Sequence, residues 1–225
     1  MTFDIHQPVF EKESGEYLEE AALRYREELE AFFEASVEGK MLSDEGIQPG
    51  WSDTVVDLGI HYLQATPAQM SAADLRTILF QVVPRKISAT ADEAPEAIRE
   101  LQLFWTFLQR EFRLENAAAC LKVLNSKETV VRMREEMENP ANFGMAKSFV
   151  MMGMQRGFDM TSQKGIDQWM ATYNAELRAG TATPVCLPAL PEVSTHYGTS
   201  KRKAQAGKAK RKLAKSSRKQ NRPKK

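Results

Sequence analysis

Apolar side chains recur at helical spacing along most of this chain. In residues 17–39 they fall at Leu18, Ala22, Tyr25 and Leu29, while glutamates fill most of the opposite face. Spacing of i, i+3, i+4 and i+7 is typical of amphipathic helices with one face in a core. No segment combines period-two alternation with hairpin turn chemistry. The pattern therefore predicts an all-α fold, a compact bundle of about eight helices joined by short loops.

Capping residues mark the ends of these segments. Gly39 and Pro84 are predicted helix stops, because glycine terminates helices and proline removes an N–H from them. Predicted helix starts are, in chain order, Ser52 as an N-cap, Ser71 with Asp74 as a capping box, Pro95 in a first turn, and Thr161 or Ser162 as the last N-cap.

Composition divides the chain into four parts. Residues 1–15 form an N-terminal leader, residues 16–179 the helical domain, residues 180–200 a linker rich in Pro, Ser and Thr, and residues 201–225 a basic tail. Prolines and glycines break the helical period in the linker. Several of its side chains are apolar, and we expect them to lie along the body: Val185, Leu187, Leu190 and Val193.

Charge is divided unevenly between the tail and the rest of the chain. Of the 31 Lys and Arg, thirteen lie in residues 201–225, which contain no Asp or Glu. Residues 1–200 therefore keep 18 basic against 30 acidic side chains, a net charge of −12 that faces +13 on the tail. An acidic domain with a basic extension indicates a partner that carries negative charge.

The sequence offers no catalytic or metal-binding constellation. His6, His61 and His196 stand far apart, although the helical spacing lets Asp57 bond to His61. The motifs of P-loop, dinucleotide-binding and zinc proteins are missing. The methionines around Met145 and Met154 are interpreted as core filling, because no Cys or His accompanies them. We therefore predict a protein that is not an enzyme and has no catalytic residue, metal or cofactor.

The location predicted from sequence is the cytoplasm. The first residues lack the basic and apolar regions of a signal peptide, and no apolar run is long enough to span a membrane. Cys120 and Cys186 lack motif spacing, which favours a reducing compartment over a disulfide framework.

Three stretches carry a resemblance to a known family. They are "WSDTVVDLGIHYL", "VVPRKI" and "NPANFGMAKSFVMMGMQRGFDMTSQKGIDQWMATYN". Over roughly residues 50–178 the chain resembles a poorly characterised bacterial all-helical module, often found with the zinc motif of the SecA C-terminus. The closely spaced cysteines of that motif are missing here. The resemblance implies a helical cytosolic module and assigns no catalytic residues.

The basic tail is the candidate binding site, predicted to be disordered or to become helical on a phosphate backbone. It has no aromatic side chain for stacking on bases, which favours phosphate contact with structured RNA, ribosomal RNA included; DNA is the alternative nucleic acid. The predicted nucleic-acid-binding residues are Lys201, Arg202, Lys203, Lys208, Lys210, Arg211, Lys212, Lys215, Arg218, Lys219, Arg222, Lys224 and Lys225.

Two other roles for the tail stay open at this point. In one, the helical domain is a protein-interaction module and the tail docks in cis on its glutamate-rich first helix. In the other, the tail serves solubility alone. In the RNA-binding hypothesis, too, the acidic domain is expected to bind a separate protein partner.

Overall fold

Helices account for the regular structure of the described chain. The computed structural model describes residues 3–11 and 13–181. Across these residues the extended backbone pairs at one isolated bridge, Phe10 with Tyr17. The all-α prediction is confirmed. The helices are α1 Glu19–Glu34, α2 Val37–Asp44, α3 Trp51–Leu58, α4 Ala72–Thr77, α5 Val83–Lys86, α6 Ala94–Phe112, α7 Ala117–Leu124, α8 Lys127–Glu138, α9 Met145–Gln155 and α10 Gln163–Ala179.

Four short turns modify these helices. A π-helical turn, Gly59–Leu63, prolongs α3, and a second one, Ile78–Val82, joins α4 to α5. Single 3-10 turns, Ala91–Glu93 and Pro140–Asn142, precede α6 and α9. The described residues thus form nine continuous helices, close to the number predicted from sequence.

Helix α6 is the centre of the core. Leu101, Phe104, Trp105, Phe107 and Leu108 are all buried on it, because α2, α3, α7 and α8 pack around it. A helix surrounded in this way must be apolar over most of its circumference. The part of the molecule built around α6, residues 3–138, is called the body below.

The residues before α1 belong to this core. Ile5 and Val9 are buried, and the Tyr25 hydroxyl donates a hydrogen bond to the carbonyl oxygen of Ile5 (3.2 Å). The ring of Phe3 lies edge-on to Tyr25 and to Phe112 at the far end of α6. The leader defined from sequence therefore contributes apolar side chains to the body.

Gly39 is not the helix stop that the sequence suggested. Helix α1 ends at Glu34, and the Ser36 side chain accepts a hydrogen bond from Gly39 N–H, which caps α2. A Cβ at position 39 would lie 2.3 Å from the carbonyl oxygen of Phe33. Glycine is therefore needed at 39 because α2 crosses the end of α1 at close range.

Pro84 does not end its helix, which continues to Lys86. A proline ring inside an α-helix clashes with the carbonyl four residues earlier. Here that carbonyl belongs to Phe80 in the π turn, where Val83 N–H bonds instead to the carbonyl of Ile78. The π turn removes the clash, so the helix continues past Pro84 to Lys86.

Three predicted helix starts are confirmed. Ser71 and Asp74 form a reciprocal capping box at α4. Pro95 lies in the first turn of α6. The Ser162 side chain accepts a hydrogen bond from Gly165 N–H at the start of α10. Each of these signals involves residues within three positions of one another, which is why sequence alone reveals them.

Helices α9 and α10, called the α9–α10 pair below, have an aromatic cluster of their own. Trp169 is buried and packs against the rings of Phe149, Phe158 and Tyr173. Its indole N–H donates to the carbonyl oxygen of Phe149 (2.9 Å). Contact with the body runs through α5, where Gly144 N–H donates to a carbonyl on that helix.

Candidate functional site

The thirteen predicted nucleic-acid-binding residues, Lys201 to Lys225, all lie outside the described residues, as do Cys186 and His196. The RNA site therefore stays a prediction. The structure does show the surface of the acidic domain to which that tail belongs, and its charged and buried polar groups are described below.

Helix α1 exposes an acidic face. Its other face is buried through Ala22, Tyr25, Leu29 and Phe33, which fixes the orientation of the helix. The glutamates that point away from the core are exposed, and none forms an ion pair with a cation of residues 3–11 or 13–181. These acidic-face residues are Glu19, Glu20, Glu27, Glu28 and Glu34.

Negative charge accumulates where this face meets α3. Burial, and after it the charges of Asp53 and Glu34, raises the pKa of the Glu30 carboxyl above its ordinary value; the Arg26 charge opposes the rise. Asp53 and Glu34 place this carboxyl in a negative potential, although burial is the larger cause of its raised pKa. The same potential attracts a positively charged segment to this face.

One arginine bridges α1 and α3. Arg26 donates from Nε (2.7 Å) and Nη2 (2.5 Å) to the carboxylate of Asp53, and from Nη1 to Asp57. His61 Nδ1 is hydrogen-bonded to the backbone carbonyl oxygen of Asp57 (3.0 Å) and lies 3.1 Å from a carboxylate oxygen of the same residue, so the contact predicted from their spacing is present. The ring of Tyr17 packs on His61. The group is a partly exposed ion-pair network that ties two helices together.

The N-terminus of α3 is capped by a carboxylate from α6. Ser52 was predicted as the N-cap, but Gly50 holds that position and Ser52 is buried. The Glu100 carboxylate accepts hydrogen bonds from the N–H groups of Gly50 (3.0 Å), Trp51 (3.1 Å) and Ser52 (2.6 Å), and from the Ser52 hydroxyl (2.7 Å). A buried anion at a helix N-terminus satisfies the free N–H groups and favours the helix dipole.

The capping role of Glu100 was not predicted, because the N–H groups that it binds lie 48 to 50 residues earlier in the chain. In the sequence it reads as one more glutamate of a helix, and its burial follows from the position of α3 across α6. All of its hydrogen bonds go to the end of α3, so its role is structural.

A shallow cavity of about 290 Å³ lies between the start of α3 and the loop before α6. Its described lining includes one titratable side chain, Glu93, and the Oε1 atom of that residue accepts from the N–H and hydroxyl of Thr90 in a capping box. Trp51 and Ile87 supply apolar walls.

Lys147 is the most unusual charged residue of the described chain. It lies in the first turn of α9 and is 2% exposed, and its Nζ has no hydrogen-bond partner among the residues described. The Nζ atom stands 4.4 Å from the centre of the Phe143 ring. Burial lowers the pKa of this amine from 10.5 to about 8, against an opposing effect of the Glu93 charge. Sequence contains a signal for it, a lone lysine inside the apolar run "FGMAKSFVMM".

The methionines of α9 are not the core residues that sequence suggested. Met145 and Met154 are exposed, and Met151 and Met152 are half-buried. Among the described residues, α9 contacts α10 through Phe149 and Trp169 and contacts α5, and neither contact buries Met145 or Met154.

The described residues contain neither a metal-binding cluster of side chains nor a helix suited to span a membrane. No three His, Cys, Asp or Glu side chains of residues 3–11 and 13–181 are grouped closely enough to hold a metal ion. None of the helices in that part of the chain combines the length and apolar character that crossing a membrane requires.

Comparisons with family models, curated proteins and solved structures found no match to this chain. The resemblance to the bacterial helical module therefore stays a prediction.

Proposed function

We propose that this chain is a non-catalytic binding protein in which the tail of residues 201–225 binds structured RNA and the acidic helical domain binds a second partner. The supporting observation is the separation of charge: +13 on the tail against −12 on residues 1–200. The exposed acidic face of α1, without cation partners in the described residues, adds to it. This face repels nucleic acid, so phosphate contact is left to the tail.

The expected chemistry is contact with phosphate rather than with bases. Lysine and arginine neutralise phosphates and release counterions, whatever the sequence of the nucleic acid. Stacking on bases requires aromatic or guanidinium planes held in place, and the tail contains no Phe, Tyr or Trp. A ribosome-like, highly folded RNA presents phosphates at high density and is the favoured target.

A salt titration tests RNA binding by the full chain. If about six of the thirteen cations reach phosphates, the logarithm of the binding constant falls against log salt with a slope of roughly −4 to −5. Replacing five tail residues by Gln (Arg211, Lys212, Lys215, Arg218 and Lys219) should weaken binding to every RNA sequence about equally and flatten the slope.

A control variant with three substitutions removes exposed positive charge from the body. Lys40→Gln, Lys122→Gln and Lys127→Gln together should leave affinity and slope close to those of the parent. A chain truncated after Ser200 should lose RNA binding and keep its helical content. Unchanged affinity and slope after truncation would show that the tail serves solubility alone.

The acidic face favours a second candidate function, a protein-interaction module whose tail docks in cis on α1. Glu20, Glu27 and Glu34 recur every seven residues on the exposed side of that helix. A synthetic peptide of residues 201–225 should then bind the chain truncated after Ser200 at low salt and shift the NMR signals of these three residues.

Charge neutralisation on another helix provides the control for this alternative. Glu20→Gln, Glu27→Gln and Glu34→Gln together should abolish peptide binding. The same change at Glu128, Glu135 and Glu138, exposed on α8 among basic neighbours, should not. Equal loss in both variants would mean that the peptide responds to total charge and has no docking site on α1.

A further inference from the structure

Helix α10 carries an apolar stripe that the described residues leave half open. Ile166, Met170, Tyr173 and Leu177 recur at intervals of four, three and four residues, which places them along one side of the helix. Met170 is 46% and Leu177 49% exposed, and Ile166 and Tyr173 are half-buried. These four residues are called the α10 stripe below.

The stripe lies beside the contact between α10 and α9 and shares Tyr173 with it. That contact uses Trp169, which is fully buried and fits against Gly153, where a Cβ would lie 2.8 Å from its ring. Arg156 stacks over the same indole and pairs with Glu176. The stripe therefore presents apolar surface beyond what holds the two helices together, and contiguous apolar surface of this kind is typical of a contact with another segment.

The end of α10 turns the chain off the helix axis. Gly180 has φ +68°, its N–H bonds to the carbonyl of Leu177, and Thr181 N–H bonds to that of Glu176. This is a Schellman motif, which closes a helix with a left-handed residue and changes the direction of the chain. The chain after Thr181 therefore does not have to continue along the axis of α10.

Sequence places a suitable apolar segment directly after this turn. In residues 182–193, Val185, Leu187, Leu190 and Val193 are apolar and one side chain, Glu192, is charged. Twelve residues reach up to about 40 Å when extended, whereas the 17 residues of α10 are about 25 Å long. The segment is therefore long enough to return along the whole stripe.

The three prolines of this segment fit such a contact. An extended chain laid on an apolar surface leaves backbone N–H groups without partners, and proline has none to leave. Proline-rich segments bind to surfaces lined by aromatic and apolar side chains, since little conformational entropy is lost. Tyr173, in ring contact with Phe149 and Trp169, supplies an aromatic wall at the middle of the stripe.

We propose that residues 182–193 of this chain fold back on the α10 stripe and cover it. Leu187 and Leu190 make the central contacts with Met170 and Leu177. The segment then also fixes where the tail leaves the domain, at the α10 side of the molecule.

Methionine oxidation of the full chain tests this proposal, with an internal reference. Met170 on the stripe and Met41 on α2 have nearly equal exposed fractions, 46% and 43%. Thioether oxidation by dilute peroxide depends on access to solvent. Rates at the two residues are read by mass spectrometry of the digested protein. If the segment covers the stripe, Met170 should be oxidised several-fold more slowly than Met41.

Two variants of the full chain assign the protection. Leu187→Asp with Leu190→Asp should bring the Met170 rate up to that of Met41, because charged side chains cannot be buried on the stripe. Thr183→Asp with Thr195→Asp adds the same charge at polar positions and should keep the protection. Equal oxidation of Met170 and Met41 in the parent chain would overturn the proposal. Protection that persists in the leucine variant, or that disappears on dilution, would do so as well, and the second result would assign the stripe to another copy of the chain.

Discussion

The body and the α9–α10 pair are built from similar amphipathic helices but bury them to different extents. On α6, Phe104, Trp105 and Phe107 are all enclosed by the helices around them. In the pair, Trp169 is the one large apolar side chain of α9 and α10 that is fully buried. The difference teaches that apolar periodicity predicts a helix, while burial depends on how many neighbours surround it. Regions with few buried contacts open at lower free energy than the core does.

The largest expected effect comes from the body. Phe104→Ala should lower the free energy of unfolding by about 3–5 kcal/mol, since it removes a buried ring and leaves a cavity. Urea denaturation followed by circular dichroism measures the loss. Phe10→Ala, at a partly buried ring near the surface, is the control and should cost clearly less. Equal losses would mean that α6 is not the centre of stability.

Trp169→Ala should separate the two regions. The substitution removes the centre of the aromatic cluster, so α9 and α10 should open locally while the body keeps its fold. Hydrogen exchange read by mass spectrometry should show fast exchange over residues 145–179 and unchanged protection over residues 94–112. If protection of α6 falls by the same factor, the pair and the body unfold as a single cooperative unit.

Lys147→Met is expected to strengthen the contact of α9 with the body. Holding the pKa of this amine near 8 instead of 10.5 corresponds to a cost of about 3 kcal/mol at neutral pH. Its position in the first turn of α9 adds an unfavourable interaction with the helix dipole. Methionine keeps the length and removes the charge, so stability should rise by about 1–3 kcal/mol at pH 7.

The lowered pKa of Lys147 also predicts how the free energy of unfolding changes with pH. Between pH 8 and pH 10.5 the unfolded chain still holds the Lys147 proton, while the folded chain has released it. Stability contributed by this residue therefore increases as pH rises through that range. The difference in unfolding free energy between the parent and Lys147→Met should shrink over the same range. A difference that stays constant from pH 8 to pH 10.5 would contradict the lowered pKa of Lys147.

Sequence predicted those parts of the fold that depend on neighbouring residues. The Ser71–Asp74 capping box, Pro95 and Ser162 act within one helical turn, and all three were found. Gly39 and Ser52 were assigned wrongly, because their roles depend on Phe33 and on Glu100. The residue pattern of one segment does not show that a carboxylate from a different helix caps it.

The candidate sites show the same difference: contacts between neighbouring residues were predicted from sequence, and contacts between distant residues were not. The bond of His61 to Asp57 follows from a spacing of four residues and was predicted. The apolar run around Lys147 is visible in the sequence, but the burial of its amine near Glu93, 54 residues earlier, depends on tertiary packing. The basic tail is visible from composition alone, and composition predicts the charge of a partner but not where on the domain that partner would meet the tail.

The packing of Phe3 against Phe112 cannot form until the whole of α6 has been synthesised. During translation Phe3 emerges first, and its partner at the end of α6 follows 109 residues later. At ribosomal speeds of about 5–20 residues per second, that interval is roughly 5 to 20 s. For that time Phe3 lacks the ring of Phe112, so its packing in the nascent chain is incomplete.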